Sequence, residues 1–201
     1  MPTTTIAIIG AGPLGRWLAL AAAKAGFRVL LEDVMPSNLH HAQEFLRLEL
    51  GSALGRAALG GDSGHAVAFV STIEDAVREA DLVIDCVPDE LESKLEIFWL
   101  LDRMAPPHTV LATPTTRLSI ADLAHCTYRP AQCVAIVAEA SALTGSFGAA
   151  SPANGSGTQI LLRTTSQTSA KTVELVRNFW QQLGFTPSFE SDAAEPLTAG
   201  S

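Results

Sequence analysis

Three glycines are spaced so that the backbone between them could hold a phosphate group. They occur in Gly10-Ala-Gly12-Pro-Leu-Gly15, directly after the apolar run TIAII. Gly10 permits a tight turn, Gly12 lets a pyrophosphate approach the backbone, and Gly15 allows a helix to pack closely on a strand. The start of that helix, at Pro13 and Leu14, offers free backbone N–H groups to phosphate oxygens. This spacing predicts a dinucleotide site.

A carboxylate follows where a dinucleotide-binding fold recognises the ribose of adenosine. Asp33 comes after a second apolar run, at close to the spacing of about 20 residues from Gly15 that such folds use. It would accept hydrogen bonds from ribose hydroxyls and repel a 2′-phosphate, and no arginine follows it. We therefore predict binding of NAD(H) rather than NADP(H). The alternative interpretation is a structural glycine turn in a domain that binds no cofactor.

Strand and helix patterns alternate along the chain and indicate which elements carry these residues. The predicted strands are Thr5–Ile9, Arg28–Leu31, Val67–Val70, Leu82–Val87, Thr109–Ala112, Cys133–Val137, Ile160–Leu162 and Pro187–Glu190. The predicted helices are Pro13–Ala25, Ser37–Leu59, one opened by Ser71-Thr-Ile-Glu74, Glu90–Met104, Ser119–His125 and Thr168–Leu183. Such alternation predicts an α/β fold with a doubly wound, mostly parallel Rossmann sheet. We expect a single domain over residues 1–190 and a flexible tail over residues 191–201.

Composition and charge indicate which kinds of binding partner the protein is expected to have. The chain has 201 residues, of which 47% are hydrophobic, and a formal net charge of −8. This charge, with dispersed basic residues, argues against nucleic acid or an anionic membrane as the main partner, because both favour clustered lysine and arginine. The three cysteines have neither disulfide nor zinc spacing, so we expect no metal. We recognise no signal peptide or membrane-spanning segment and expect a cytoplasmic protein.

A longer stretch of the chain resembles a known family. Residues 81–98 read DLVIDCVPDELESKLEIF, and an Ala-Pro pair and TVLATPTTRLSIADLA follow. In this order, the blocks resemble the NAD-binding domain of the 3-hydroxyacyl-CoA dehydrogenase family. The resemblance starts at the glycine segment and weakens after residue 130. It implies a set of cofactor contacts at Val87, Pro88, Asp89, Lys94 and Thr115.

The resemblance fails at the family's catalytic dyad, a histidine that takes the hydroxyl proton and a glutamate that orients it. Val137 stands at the histidine position, and no histidine occurs after His125. The strand expected to carry the glutamate reads TQILL and holds no acid. The family's helical second domain, which closes over the acyl chain and forms the dimer, has no counterpart in the sequence. We therefore keep open a homodimer and a separate helical partner subunit as ways to complete the site.

Two residues remain as candidates for catalysis. Thr116 aligns with a family serine that hydrogen-bonds the substrate oxygen, and a threonine can donate the same bond. Glu139 follows the sixth predicted strand, where the cofactor crevice opens, and would act as a base if burial raised its pKa. The alternative for Glu139 is an exposed loop residue. Arg117 either pairs with an acidic ligand or is solvated, and Ser119 is predicted to be a helix N-cap.

The segment 143–157 consists mostly of small and turn-forming residues. This composition predicts a long mobile loop, which we expect over the nicotinamide end of the crevice. Phe147 is the expected anchor if the segment acts as a lid.

These observations support two main hypotheses about function. The first is an NAD-dependent oxidoreductase with an altered active site that acts on a small molecule or an acyl thioester. The second is an NAD(H)-binding protein without catalysis, such as a redox sensor or a regulatory subunit. A third and weaker hypothesis is a β-hydroxyacid or imine-reducing dehydrogenase, which shares the glycine segment. The first hypothesis requires a titratable group within reach of the nicotinamide ring, whereas the second does not. Glu139 is the candidate for this group.

Overall fold

A sheet lies between two layers of helices in the computed structural model, which describes residues 3–50, 67–149 and 158–192. Within these residues the strands are β1 (Thr5–Ile9), β2 (Arg28–Glu32), β3 (Val67–Val70), β4 (Leu82–Asp85), β5 (Val110–Pro114), β6 (Cys133–Ile136), β7 (Thr158–Thr164) and β8 (Phe185–Ser191). Their order is β3-β2-β1-β4-β5-β6-β7-β8. Strands β1 to β6 are parallel, whereas β7 is antiparallel to β6 and parallel to β8. The predicted α/β class and mostly parallel Rossmann sheet are confirmed.

The helices of the described residues cover both faces of this sheet. They are α1 (Pro13–Lys24), α2 (Pro36–Glu49), α3 (Ile73–Val77), α4 (Leu91–Met104), α5 (Ile120–His125), α6 (Ala140–Ala149) and α7 (Ala170–Gln182). The Ser119 hydroxyl accepts the N–H of Asp122 at the start of α5, so its predicted N-cap role is confirmed. Residues 51–66, onto which the predicted extension of α2 falls, lie outside the described part of the chain.

The pattern along β1 shows why the chain forms buried strands. All five of its residues are buried. Ile6 and Ile8 belong to the core beneath α1, α2 and α7, whereas Ala7 and Ile9 belong to the core beneath α3, α4 and α5. Successive side chains of a strand point to opposite faces, so a strand covered on both faces is apolar at every position. The unbroken apolar run therefore predicts the central strand correctly.

The prediction of a loop over residues 143–157 is wrong for its first part. Residues 140–149 form α6, and the carbonyl of Glu139 accepts the N–H of Leu143. Leu143 is buried in the core beside α1, and burial of a leucine contributes about 1.5–3 kcal/mol, which offsets part of the cost of ordering the segment. Residues 150–157 and the side chain of Phe147 lie outside the described part, so the lid and its anchor stay predictions.

Residues 191 and 192, which the prediction assigned to a flexible tail, make ordered contacts. Ser191 belongs to β8, and the carboxylate of Asp192 accepts hydrogen bonds from the Ser119 hydroxyl and the Ala121 N–H, at 2.8 and 3.1 Å. These two bonds hold the end of β8 against the start of α5. Residues 193–201 lie outside the described part of the chain. Among the helices that the structure describes, none combines the length and apolar character needed to cross a bilayer.

Candidate functional site

A crevice of about 790 Å³ opens at the carboxyl ends of the parallel strands. It lies where the strand order reverses, since β1 sits between β2 and β4, and ligands of doubly wound sheets bind at this position. Its described lining comprises Ile9, Gly10, Gly12, Leu14, Glu32, Asp33, Val34, Asn38, Ile73, Cys86, Val87, Pro88, Asp89, Ile97, Pro114, Thr116, Arg117, Ala138 and Glu139. Nine of the predicted site residues are in this set, whereas Pro13, Gly15, Lys94 and Thr115 are not.

The glycine loop has the geometry that a pyrophosphate requires. Gly10 adopts φ +102°, a conformation that other residues rarely take, and its N–H donates to the Glu32 carbonyl at 2.8 Å. A side chain at Gly15 would place its Cβ within 1.9 Å of the Gly10 carbonyl oxygen. A Cβ at Gly12 would meet no atom within 4 Å, although Gly12 caps α1. The space at Gly12 and the free N–H groups of the first helical turn therefore fit phosphate oxygens.

Asp33 connects the glycine loop to the start of α2. Its carboxylate accepts the N–H groups of Ala11 and Met35, both at 2.8 Å, and the Asn38 side-chain amide contacts both of its oxygens at 3.1 Å. These contacts fix a carboxylate at the end of β2, where ribose hydroxyls would donate to it. The sequence analysis missed Asn38, because nothing in its spacing distinguishes it from an ordinary residue of the first turn of α2.

Glu32 is a second acid at this end of the crevice, and the sequence analysis also missed it. It is 5% exposed and lines the crevice. Burial, with the neighbouring Asp33 carboxylate as the second cause, raises the pKa of Glu32 to about 7. An acid directly after the apolar run at residues 29–31 was the available sequence signal.

Lys94 lies beneath the crevice and does not line it. Its ammonium group donates to the Asp85 carboxylate and to the Val87 carbonyl, each at 3.0 Å, and both side chains of the ion pair are buried. The Thr113 hydroxyl and the Val87 N–H also donate to Asp85, at 2.9 Å. Burial raises the pKa of Asp85, and the Lys94 ammonium opposes this rise. The network holds the turn after β4, so Lys94 positions Val87 instead of lining the crevice.

The turn after β5 contacts the turn after β4. The buried Thr115 hydroxyl accepts the N–H groups of Arg117 and Leu118, at 3.3 and 3.0 Å, and so shapes its own turn. Arg117 donates to the Asp89 carbonyl at 2.7 Å, and the Thr116 N–H reaches the Asp89 carboxylate at 3.4 Å. The other carboxylate oxygen of Asp89 is buried and has no partner among the described residues. A buried acceptor of this kind is suited to a ligand hydroxyl.

The second candidate for catalysis lies at the far end of the same crevice. Glu139 lines it just before α6, but its side chain is exposed, so the burial on which the prediction of a base depended is absent. Val137, at the expected histidine position, donates its N–H to the Leu161 carbonyl and continues the β6–β7 pairing. None of the histidines within the described residues lines the crevice. Those residues also contain no cluster of three or more His, Cys, Asp or Glu side chains suited to a metal.

A comparison with protein families identifies the region that carries the cofactor site. A model described as 3-hydroxyacyl-CoA dehydrogenase, NAD binding domain, matches residues 5–137. This range contains the glycine loop, Asp33, Asp89 and Thr116.

Two curated proteins are similar over much the same region. A probable 3-hydroxybutyryl-CoA dehydrogenase of Bacillus subtilis is 36% identical over 138 residues, which are 65% of this chain and 46% of that protein. A 5-formyl-3-hydroxy-2-methylpyridine 4-carboxylate 5-dehydrogenase of Mesorhizobium japonicum is 35% identical over 130 residues, which are 61% of this chain and 40% of that protein. The chain therefore matches less than half the length of these two relatives.

The structural similarity extends further along the chain. A solved structure of 5-formyl-3-hydroxy-2-methylpyridine 4-carboxylic acid 5-dehydrogenase, described as an NAD+-dependent dismutase, superposes with a TM-score of 0.71. The superposition covers 95% of this chain and 59% of that one, at 25% sequence identity. The fold is thus shared beyond residue 137, where the family model ends.

Proposed function

Because this chain belongs to the 3-hydroxyacyl-CoA dehydrogenase family through its NAD-binding domain, we propose that it is the cofactor-binding unit of an NAD-dependent oxidoreductase. The observation that carries the proposal is one crevice lined by the glycine loop and Asp33 and also by Thr116 and Glu139. Bound NAD supplies an acceptor for a hydride from a carbon that bears a hydroxyl group. The residues of this chain bind and orient cofactor and substrate around that exchange.

Residues that would hold the cofactor line the crevice from the end of β2 to the end of β5. The first turn of α1 would bind the pyrophosphate at Gly12, and Asp33 would accept the adenosine ribose hydroxyls. The unpartnered oxygen of Asp89 is suited to the second ribose, because it lies beside the turn that carries Thr116. A 2′-phosphate would meet the Asp33 carboxylate, so NAD(H) binds in preference to NADP(H).

Thr116 holds the substrate oxygen in this proposal. Its side chain is exposed and lines the crevice, while its N–H is held near the Asp89 carboxylate. A hydroxyl can donate to a carbonyl oxygen or accept from a substrate hydroxyl, so it orients substrate in both directions of the reaction. A threonine hydroxyl is a poor base near neutral pH, so the proton needs another acceptor.

Glu139 accepts the hydroxyl proton in this proposal. It is the acid that lines the crevice beyond Thr116, and it follows β6 at the same edge of the sheet. A substrate or a partner that covers the site would exclude water from the space between the Glu139 carboxylate and the substrate hydroxyl. A positioned base contributes roughly 10²–10⁴-fold to such reactions.

The second candidate function is NAD(H) binding without catalysis, as in a sensor or a regulatory subunit. Two observations favour it: Val137 occupies the expected histidine position, and Glu139 is exposed. In this alternative the cofactor end of the crevice keeps its function, whereas the substrate end has none.

Turnover in variants with intact NAD binding tests the proposal. NADH formation would be measured with 3-hydroxybutyryl-CoA and with free 3-hydroxybutyrate, on the wild-type chain, Thr116→Val and Glu139→Gln. We expect slow turnover that falls at least about tenfold in either variant, with NAD affinity by calorimetry unchanged. Equal, measurable rates in all three proteins would contradict the roles of Thr116 and Glu139, whereas no turnover by a protein that binds NAD would support the non-catalytic alternative.

A further inference from the structure

Glu32 is a buried acid in the crevice wall to which neither the binding of phosphate and ribose nor the proposed chemistry assigns a role. It is 5% exposed, and no described residue donates a hydrogen bond to its carboxyl group. Glu32 lines the crevice, so a ligand that fills the crevice would cover its carboxyl group. A polar group that is covered without gaining a partner costs about 1–3 kcal/mol, so such a ligand needs a group that pairs with Glu32.

The sheet register places Glu32 on the face opposite Asp33. Glu32 aligns with Ile9 on β1, and Ile9 aligns with Asp85 on β4. Aligned residues of parallel strands point to the same face, and Ile9 belongs to the core beneath α3 and α4. Glu32 therefore faces α3 and α4, whereas Asp33 reaches the glycine loop and α2.

The crevice beside Glu32 is apolar and suited to a flat ring. The crevice lining includes Ile9, Ile73, Val87 and Ile97, which all belong to or pack against the core beneath α3 and α4 that Glu32 faces. Because Asp33 receives the adenosine ribose, the base attached to that ribose lies over the end of β2, next to this apolar lining. The faces of adenine pack on aliphatic side chains, but its 6-amino group and N1 lose their water and need hydrogen-bond partners.

We propose that the Glu32 carboxyl group pairs with the amino edge of adenine and selects this base in the bound dinucleotide. The carboxyl oxygen accepts the 6-amino N–H, and the carboxyl O–H donates to N1, which uses the donor and the acceptor of a protonated carboxyl group together. This inference rests on the NAD site and adds the residue that recognises its base.

Two further observations support the protonated form of Glu32. Burial and the adjacent Asp33 carboxylate raise the pKa of Glu32 to about 7, so a large fraction is neutral near physiological pH. Lys94 is buried, and its ammonium group already pairs with Asp85 and the Val87 carbonyl. No described cation lining this part of the crevice would hold Glu32 ionised.

The test compares NAD with 1,N6-etheno-NAD, in which an added ring blocks both N1 and the 6-amino group. Calorimetry near pH 6.5 would measure both affinities for wild type, Glu32→Ala and Glu32→Gln. We expect the wild type to prefer NAD by at least about tenfold, as the loss of a buried hydrogen-bonded pair implies. Glu32→Ala should weaken NAD about tenfold and bind both dinucleotides about equally. Glu32→Gln should keep the preference, because its amide also donates and accepts.

Asp33→Asn is the matched control, since it changes the neighbouring carboxylate and should weaken both dinucleotides alike. If Glu32→Ala binds NAD as tightly as wild type while its thermal unfolding shows an intact fold, the pairing is wrong, even if etheno-NAD then binds better for steric reasons. Equal affinities of the wild type for the two dinucleotides would also overturn it. Failure of the wild type to bind either dinucleotide would instead contradict the NAD site itself.

Discussion

The two ends of the crevice differ in how firmly the fold holds their polar groups. At the end of β2, Glu32 and Asp33 are both buried, and Asp33 is bonded to the glycine loop and to α2. Beyond β5 and β6, Thr116 and Glu139 are exposed, and the Arg117 side chain is 72% exposed. Preorganisation therefore belongs to the cofactor end of the site. The end with Thr116 and Glu139 is open, and substitutions there cost little stability.

The contrast indicates that the polar groups at the end of β2 tolerate substitution less well than those beyond β5 and β6. Moving a buried, hydrogen-bonded carboxylate disturbs the loop and helix that depend on it. An exposed residue at the end of a strand can change without disturbing the sheet. Val137, at the position where the resemblance implies a histidine, is an example, because its backbone N–H continues the β6–β7 pairing whatever its side chain is.

The largest expected effect is on the network beneath both ends of the crevice. Lys94→Met would leave the Asp85 carboxylate buried without its cation, and breaking such a pair costs about 3–5 kcal/mol. Urea unfolding should show this loss, and NAD affinity should fall because the Val87 turn loses its support. The double variant Lys94→Met/Asp85→Leu should recover most of the stability. A loss below about 1 kcal/mol in the single variant would show that the pair does not hold the turn.

A pair of glycine substitutions separates binding from folding at the cofactor end. Gly12→Val should reduce NAD affinity by at least about 100-fold, equivalent to about 3 kcal/mol, because the new side chain occupies the space of the pyrophosphate. Its stability should change little, since a Cβ there meets no protein atom within 4 Å. Gly15→Ala should instead lower the unfolding temperature, because its Cβ would lie 1.9 Å from the Gly10 carbonyl oxygen. Thermal unfolding and calorimetry on both variants measure the two effects. If Gly12→Val lowered the stability and Gly15→Ala weakened only NAD binding, the prediction would be wrong.

Stability should depend on pH through Glu32. Its folded-state pKa of about 7 lies above the ordinary value of 4.5, so its contribution to stability is full below pH 4.5 and is lost as the pH rises through 7. Glu32→Gln removes this titration and should be more stable than wild type at pH 8, by about 2–3 kcal/mol. At pH 4.5 the two proteins should differ much less. Urea unfolding at both pH values measures the difference, and parallel pH profiles would contradict the raised pKa.

The smallest of these effects is on cofactor choice. Asp33→Ala should weaken NAD about tenfold or more through the loss of hydrogen bonds to a carboxylate. It should weaken NADP less, because the repulsion of the 2′-phosphate is also removed. Calorimetry with both dinucleotides gives the ratio. If wild type already binds NADP as tightly as NAD, Asp33 does not have the role proposed for it.

Local patterns in the sequence determined much of the fold and the cofactor site. The apolar run of β1, the spacing of Gly10, Gly12 and Gly15, and the position of Asp33 each depend on a short segment whose geometry follows from its own residues. The Ser119 cap is of the same kind. These features predicted the parallel sheet and NAD correctly, because backbone conformation and periodicity are local properties of the chain.

Only the tertiary structure decided which side chains meet and which are buried. The resemblance implied that Lys94 contacts the cofactor, but it did not indicate that the packing of α4 places the Lys94 ammonium group on the buried Asp85. Segment 143–149 is rich in small residues, yet it is helical where Leu143 packs beside α1. Glu32 is the last residue of β2, and Glu139 follows β6. Of these two acids, Glu32 is buried, whereas Glu139 is exposed. Burial depends on contacts between residues that are distant in sequence, so no local sequence pattern predicts it.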